Sequence, residues 1–554
     1  MSGLAAIDLA TAQRFGAADP AASAALALAS WATRQGHAGL PLAALQAGEL
    51  DPLLREIRRL PPTPSAMLAA LNEHRHIGQP ATEKAFVLDH DMLYLRRLWQ
   101  LETEAAACLL QLASRRFASV ADPAESLLNQ LLPLSAASEP ARAALRHAAH
   151  SGLSVLTGGP GTGKTWTAAR LLIYLQALSP QRLRIAAVAP TGKAAARLGA
   201  SLREQQAALS APITGAQTLH RLLGVQPQRA QPQYGKERPL PIDVLLLDEA
   251  SMLDLPMLVH VLRALPLNAR LILLGDPDQL PALGGGRVLA DLLAVQAPTT
   301  TMSIRHVAHA LTRSHRFAID SALGRLLHAV RAGDGEGAVN ALAEGGASLR
   351  AEWDDIDPRS RQWQQIWRDG FAGLRDPSIE RRLAALLRFR VLCAGNAGRR
   401  GVAGVNAAAE AACLGQTQLA VHYDGQPILI RENAPALDLW NGDLGVVAPH
   451  GAAGLRAWFP DPNGLPRALR LDVLPAHETA YAMSVHKAQG SEFDQVVLLL
   501  PAVDSPLLTR EWLYTGLSRS RGPMIVCGGV DAFSTALARR EQRWSRLAER
   551  LLAG

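Results

Sequence analysis

The sequence predicts an α/β protein with two parallel-sheet units, a helical N-terminal region and a small β insertion. Three observations carry that expectation. Short apolar runs alternate with helical segments in LSVLT (153–157), RIAAVAP (184–190), IDVLLLD (242–248) and RLILLGD (270–276). Continuous apolar strands separated by helices imply a parallel sheet covered on both faces. The same pattern returns in RFRVLCAG (388–395), FDQVVLLLP (493–501) and PMIVCGG (523–529), which calls for a second unit. Between the last groups, QPILIRENAPALDLWNGDLGVVAP (426–449) is rich in Gly and Pro with short alternating runs, the signature of a small β element.

The remaining elements follow in chain order. A chain of 554 residues exceeds what one hydrophobic core organises, so several domains are expected. Residues 1–117 form the helical domain; LYLRRLWQLETEAAACLLQLA (93–113) repeats its apolar residues at i, i+3, i+4 and i+7. A segment richer in Pro, Ser and Ala, 118–141, reads as a linker. The first α/β unit spans 142–303, the second 304–420 together with 475–554, and the β insertion 421–474.

Composition bounds the function. With 48% hydrophobic and 19% charged residues the chain is a folded globular protein rather than a disordered one. Its net charge of +7 suits a polyanionic partner. Cys108, Cys393, Cys413 and Cys527 are scattered, without zinc spacing, and read as reduced thiols. The stretch Ala21 to Ala32 imitates a signal-peptide core, but Asp8 and Asp19 precede it, so it reads as an amphipathic helix. No run approaches the roughly 20 apolar residues of a membrane span, and a cytoplasmic chain is expected.

The chemistry begins at GGPGTGKT: Gly158, Gly159, Pro160, Gly161, Thr162, Gly163, Lys164 and Thr165. It follows an apolar strand and opens a helix, the context that makes a P-loop. Glycines let backbone N–H groups close around phosphate, and the helix N-terminus favours the anion. Lys164 reaches the β and γ phosphates, and the Thr165 hydroxyl ligates Mg2+. At the carboxyl end of the next buried strand, LLLDEAS presents Asp248 to hold the metal and Glu249 to activate water. GDPDQLPAL then offers Gln279, able to touch the γ-phosphate. Positive charge for the phosphoryl group is expected from Arg316 in LTRSHRF and Arg519 in LYTGLSRSR, both delivered by the second unit. Lysine is scarce, limited to Lys84, Lys164, Lys193, Lys236 and Lys487, and three of these lie inside motifs. A compact ammonium is retained where guanidinium would not serve.

The ordered set GGPGTGKT, APTGKAAARL, TLHRLL, LLLDEAS, GDPDQLP, SHRF, SVHKAQGSEF and YTGLSRSR resembles the superfamily 1B DNA helicases. Within them it is most similar to the RecD family, the alpha subunits of the RecBCD exodeoxyribonuclease V complex. That resemblance implies two RecA-like domains, an SH3-like β insertion and a short hairpin at about 224–240. It also implies an ATP- and Mg2+-dependent 5′–3′ motor that, with RecB and RecC, unwinds double-strand DNA ends for recombination repair, the N-terminal domain docking on RecC. By resemblance, single-stranded DNA is held by Thr191, Lys193, Thr218, His220 and His486. Glu492 meets the ribose of ATP, with Gln489 and Gly490 shaping its loop. Where the family carries an adenine-reading glutamine, this chain has Pro140, Ala141 and Arg142, so relaxed nucleotide preference is the expectation.

Other classes fit less well. Metal-dependent DNA cleavage by a D/E-x-K element is excluded, because Thr82, Thr162, Thr191, Tyr234 and Val485 stand two residues before the five lysines. A nucleotide-gated scaffold that does not translocate is the alternative, yet it would have no use for Arg316, Arg519 and the SVHKAQGSEF loop. A protein unfoldase shares only the P-loop and the acidic pair.

Overall fold

The computed structural model describes residues 3–553 apart from 17–18, 58–61, 118–122, 206–213, 227–228, 230, 296–302, 315, 318–319, 347–348, 353–359, 415–420 and 462–463. Its centre is a six-stranded, wholly parallel sheet. The strand order is Ala308–Leu311, Leu153–Gly158, Arg270–Gly275, Val244–Leu247, Ile185–Ala189 and Thr214–Thr218. Alternate residues serve opposite faces: Leu245 and Leu247 enter one core cluster, Val244 and Leu246 the other. This two-sided burial is why the strands read as unbroken apolar runs. A second parallel sheet orders Leu349–Glu352, Met524–Cys527, Gln495–Leu499, Phe389–Cys393 and Ala482–Ser484. The expected pair of parallel α/β units is therefore present.

The edge strand Ala308–Leu311 pairs with the P-loop strand, so the first sheet extends past residue 303, where the apolar pattern alone ended it. That strand is too short and too polar to stand out in the sequence, and its place is fixed by the neighbour it hydrogen-bonds. From residue 123 onward the expected linker is also structured; 118–122 lie outside the described residues. Helix Pro123–Leu131 and the start of helix Glu139–His150 fall inside it. Leu128 and Leu132, one turn apart, bury against the P-loop helix Lys164–Leu178.

In the N-terminal region the helix Pro20–Arg34 starts at Asp19, whose side chain accepts from the N–H groups of Ala21 and Ala22. It is not amphipathic in its setting. Ala24 to Ala32 are all buried, because neighbouring elements cover every side and alanines permit close approach. The helices share this region with a small sheet of Leu40–Pro41, Met92–Leu95, Phe86–Asp89 and Ile77–Gly78. Helix Arg96–Ser114 buries Leu98, Leu101, Ala105, Leu109 and Leu112 against the first large sheet, joining the two regions through one core.

The β insertion is an antiparallel sheet of Pro466–Leu469, Leu455–Pro460, Leu444–Pro449, Pro427–Ile430 and His477–Thr479. Its own core contains Ile428, Ile430, Val447 and Phe459, and its last strand lies beyond the expected limit at 474. Among the described residues of 224–240 no strand forms; 227–228 and 230 lie outside them. Gly235 and Arg238 exchange backbone hydrogen bonds in a tight turn instead. Pro232 and Pro239, lacking donors, cannot complete a ladder around it.

After helix Val530–Ala538 the chain leaves the second α/β unit and returns to the first. Trp544 stacks on His37 with centroids 4.0 Å apart, its N–H donates to His37 Nδ1 and its carbonyl accepts from Ala38. Leu547 and Leu551 then enter the core beneath helix Arg96–Ser114. No helix among the described residues is long and apolar enough to cross a membrane.

Candidate functional site: a cleft between the two parallel sheets

The P-loop turns sharply between strand Leu153–Gly158 and helix Lys164–Leu178. Gly161 and Gly163 take φ of 74° and 81°, conformations that a side chain would resist. A Cβ on Gly161 would stand 2.3 Å from Arg316 Cβ, so this glycine also lets the following segment close over the loop. Lys164 Nζ lies inside the loop, donating to Gly158 O at 2.6 Å and Gly159 O at 3.1 Å.

A cavity of about 360 Å³ opens beside it. Lys164, Thr165, Asp248, Glu249 and Gln279 reach it from the first sheet, and Glu492 and Arg519 from the second. Asp248 follows a buried strand, and its Oδ1 accepts from the N–H of Glu249 at 2.8 Å. Burial, and the Glu249 carboxylate beside it, push the Asp248 carboxyl above the ordinary aspartate range; Lys164 opposes them. Glu249 itself sits at φ 54°, the left-handed region, which turns its side chain out of the strand direction.

Arg519 is almost fully buried and anchored three times: Nε to Thr515 O, Nη1 to Ser491 O and Nη2 to Ser518 Oγ. Burial lowers its pKa, with the negative charges of Glu249 and Glu492 acting the other way. Glu492 is the centre of an arginine cluster. It pairs with Arg316 at 2.8 Å, Arg521 at 3.0 Å and Arg197 at 2.5 Å. Arg316 follows the edge strand of the first sheet, so it enters from the junction of the two units rather than from the second alone. Arg197 and Arg521 carry no signal of their own among so many arginines, although both lie inside recognised motifs.

Cross-sheet contacts line the floor of the cleft. Leu280 N–H donates to Thr515 Oγ1 at 2.8 Å, Gln489 Nε2 donates to Leu280 O at 3.0 Å, and Tyr514 Oη donates to Asp276 Oδ2 at 3.2 Å. Gly490 takes φ 72° and faces Ala194 and Thr191.

The five residues expected on DNA lie outside the cleft lining. Thr191 and Thr218 follow adjacent strands of the first sheet, and each hydroxyl accepts from a helix N-terminal N–H, of Ala194 and Arg221 respectively. His220 reaches the surface, yet the protein packed around its ring desolvates it and lowers its pKa; half-buried His486 is lowered by burial. Lys193 is half-buried with Nζ 5.6 Å from the Phe493 ring centroid. Burial, with Arg390 alongside, pushes its ammonium down to about 7, against the pull of Asp443. Trp440 of the β insertion stands over this loop: a Cβ on Gly192 would meet Trp440 Cβ at 2.7 Å. Lys487 pairs with Glu478.

A second cavity, about 570 Å³, adjoins the P-loop and is lined by Leu132, Pro133, Ser138, Ala141, Trp166 and Leu311 among others. Ala141 thus faces space beside the nucleotide loop. Arg142 points away: its guanidinium is fully buried, bonded to Leu132 O, Asn129 Oδ1 and Glu125 Oε1.

Residues 141–285 match the model of an AAA domain, residues 479–527 that of a UvrD-like helicase C-terminal domain, and residues 2–94 that of the N-terminal domain of RecBCD enzyme subunit RecD. The protein named RecBCD enzyme subunit RecD from Mycolicibacterium smegmatis is 38% identical over 552 residues, 96% of this chain and 94% of its own. The ATP-dependent RecD2 DNA helicase of Deinococcus radiodurans is 32% identical over 409 residues, 72% of this chain and 50% of its own. Among solved structures, the Pif1 helicase from Bacteroides in complex with ADP-AlF3 and ssDNA aligns over 68% of this chain and 88% of its own, at 18% identity and a TM-score of 0.38.

Proposed function

The chain belongs to the family of RecBCD enzyme subunit RecD, and from that premise we propose that it is the ATP-driven 5′–3′ DNA helicase subunit of a RecBCD-type enzyme that processes double-strand ends. One observation carries the reading. A single cleft collects Lys164, Thr165, Asp248, Glu249 and Gln279 from one parallel sheet and Glu492 and Arg519 from another. Hydrolysis in such a cleft depends on how the two units sit together, and this dependence is what turns chemistry into movement.

In this reading the triphosphate occupies the P-loop, its negative charge met by Lys164, by backbone N–H groups and by the start of the Lys164–Leu178 helix. Its base enters the adjoining cavity beside Ala141 and Trp166. Among the described residues no carboxamide side chain lines that cavity, which supports a weak preference among bases. Thr165 and Asp248 offer hard oxygen donors on one wall, a set that fits Mg2+ with waters completing its shell. When bound, the ion neutralises charge on the phosphate oxygens. Glu249 takes the proton of the attacking water, and Arg519 supports charge on the transferring group. Thr191, Lys193, Thr218, His220 and His486 track the backbone of a single strand, in an assembly with RecB and RecC.

The test is strand separation by the full chain, with and without its partner subunits, on duplexes carrying 5′ or 3′ overhangs. Unwinding confined to 5′ overhangs and lost in Lys164→Ala is expected. ATP turnover that no oligonucleotide stimulates would instead favour the non-translocating scaffold.

A further inference from the structure

Gln279 lies in the cleft with an orientation that its motif does not predict. Its side chain is almost wholly buried, 6% exposed. The amide Nε2 donates to Asp276 Oδ2 at 3.1 Å, while Oε1 has no partner. An ionised carboxylate only accepts, so Asp276 holds the NH2 group toward itself and leaves the buried carbonyl oxygen as the free end of a side chain that lines the same cleft as Glu249. The same Asp276 oxygen accepts from Tyr514 Oη at 3.2 Å, and its other oxygen accepts from the N–H of Asp278 at 3.1 Å. Lys164 and Arg519 are cations whose charge acts on it.

Tyr514 comes from the other α/β unit, on helix Arg510–Leu517, four residues before the helix C-cap and five before Arg519. Its hydroxyl also stands against the P-loop, 2.9 Å from where a Cβ on Gly159 would lie. Thr515, next along, accepts from Arg519 Nε through its carbonyl and from Leu280 N–H through its hydroxyl. One short helix therefore delivers Arg519 and fixes the carboxylate that orients Gln279.

We infer that Asp276 and Tyr514 are positioning residues for hydrolysis. Together they hold the Gln279 amide with its carbonyl oxygen toward the attacking water, and only when the second unit is docked. This rests on the motor reading above. In the step itself, the water oxygen bonds to the γ-phosphorus as the bond to the β,γ-bridging oxygen breaks, and that electron pair leaves with ADP. One water proton goes to Glu249. The other hydrogen is the one Gln279 Oε1 accepts, which aims the oxygen lone pair at phosphorus. Gln279 thus serves as an acceptor for water rather than as a donor to the γ-phosphate.

The experiment is a double-mutant cycle on the full-length chain, reading kcat and KM separately at saturating single-stranded DNA. Tyr514→Phe removes one hydroxyl and is expected to lower kcat about ten-fold with KM within two-fold, the scale of one hydrogen bond to a charged group. Gln279→Ala lowers kcat further, and Tyr514→Phe added to it costs nothing more, because both act through one amide. Asp276→Asn, which keeps the shape, is expected to lower kcat and likewise to mask Tyr514→Phe. Losses that multiply in the double variants, or a Tyr514→Phe effect confined to KM, overturn this inference while leaving the motor reading intact. A wild-type chain without DNA-stimulated turnover removes both.

Discussion

Arg142 belongs to the stretch Pro140, Ala141 and Arg142 that stands where an adenine-reading glutamine was expected, and its replacement by methionine tests what it does there. The guanidinium is fully buried and ties helix Glu139–His150 to the end of helix Pro123–Leu131 through Leu132 O at 2.9 Å, Leu128 O at 3.4 Å and Asn129 Oδ1 at 2.7 Å. Leu128 O keeps a second partner, the N–H of Leu132, and exposed Asn129 turns to water, so methionine strands chiefly Leu132 O. A buried acceptor that loses its donor costs about 1–3 kcal/mol. Methionine restores most of the stem packing and also removes one unmatched donor, Nε. The Glu125 contact faces solvent and contributes little. The net expectation is a loss of about 1–3 kcal/mol, or roughly 2–12 °C in the melting temperature of the unit that contains it. Leu132, Pro133 and Ser138, between the two helices, line the cavity beside the P-loop, so the damage should reach nucleotide binding. Thermal unfolding with and without ADP, beside steady-state ATPase, reads both effects: a lower melting temperature, a smaller ADP-induced rise and a KM for ATP raised several-fold with kcat nearly kept. Melting within about 1 °C of wild type and an unchanged KM would refute the reasoning.

Three further outcomes are expected. Arg519→Ala should retain ATP binding while turnover falls roughly 10³-fold or more, as for other arginines that stabilise transferring phosphoryl charge; a loss under ten-fold in single-turnover hydrolysis would rule out that role. Lys193, held at about 7, should carry its charge at pH 6 and shed it by pH 8.5. Single-stranded DNA affinity should then fall with rising pH, and the slope of log K against log salt should shrink by about 0.7; Lys193→Arg, charged throughout, should abolish the difference. Arg550→Ala should destabilise the chain by about 2–4 kcal/mol in denaturant titrations, because it leaves fully buried Glu102 and nearly buried Asp89 short of a cation. Burial works against Asp89 ionising, yet hydrogen bonds from Trp99, His90 and Arg550 hold its carboxyl down at about 2. Its contribution is therefore present above the ordinary aspartate value of 3.8 and is lost as pH falls toward 2, a dependence that Arg550→Ala should reduce.

Much of the cleft lining is local and was legible as such. The P-loop, the Asp248–Glu249 pair and Gln279 each follow an apolar strand by a few residues, so chain connectivity alone delivers them to one edge of a parallel sheet. The pairing of Glu492 with Arg197, Arg316 and Arg521 was not legible, since 56 Lys and Arg residues offer no local preference among themselves. The expected DNA-contact set shows the same limit. Thr191 and Thr218 announce themselves by motif, but that each hydroxyl already caps a helix, and that Trp440 covers the Lys193 loop, depends on elements far along the chain.

The sequence by itself determined that this is a two-sheet α/β ATPase, because a period of unbroken apolar runs and a glycine-rich turn are properties of neighbouring residues. Tertiary structure alone decided that Ala308–Leu311 joins the first sheet and that 123–131 is a helix of the core. It also decided that residues 539–553 return to clasp His37 and Glu102, and that Tyr514 reaches Asp276 across 238 positions. Those contacts have no local code. Each depends on burial and hydrogen-bond completion between segments that meet only after the chain has folded, and at the cleft they set which side chains lie side by side.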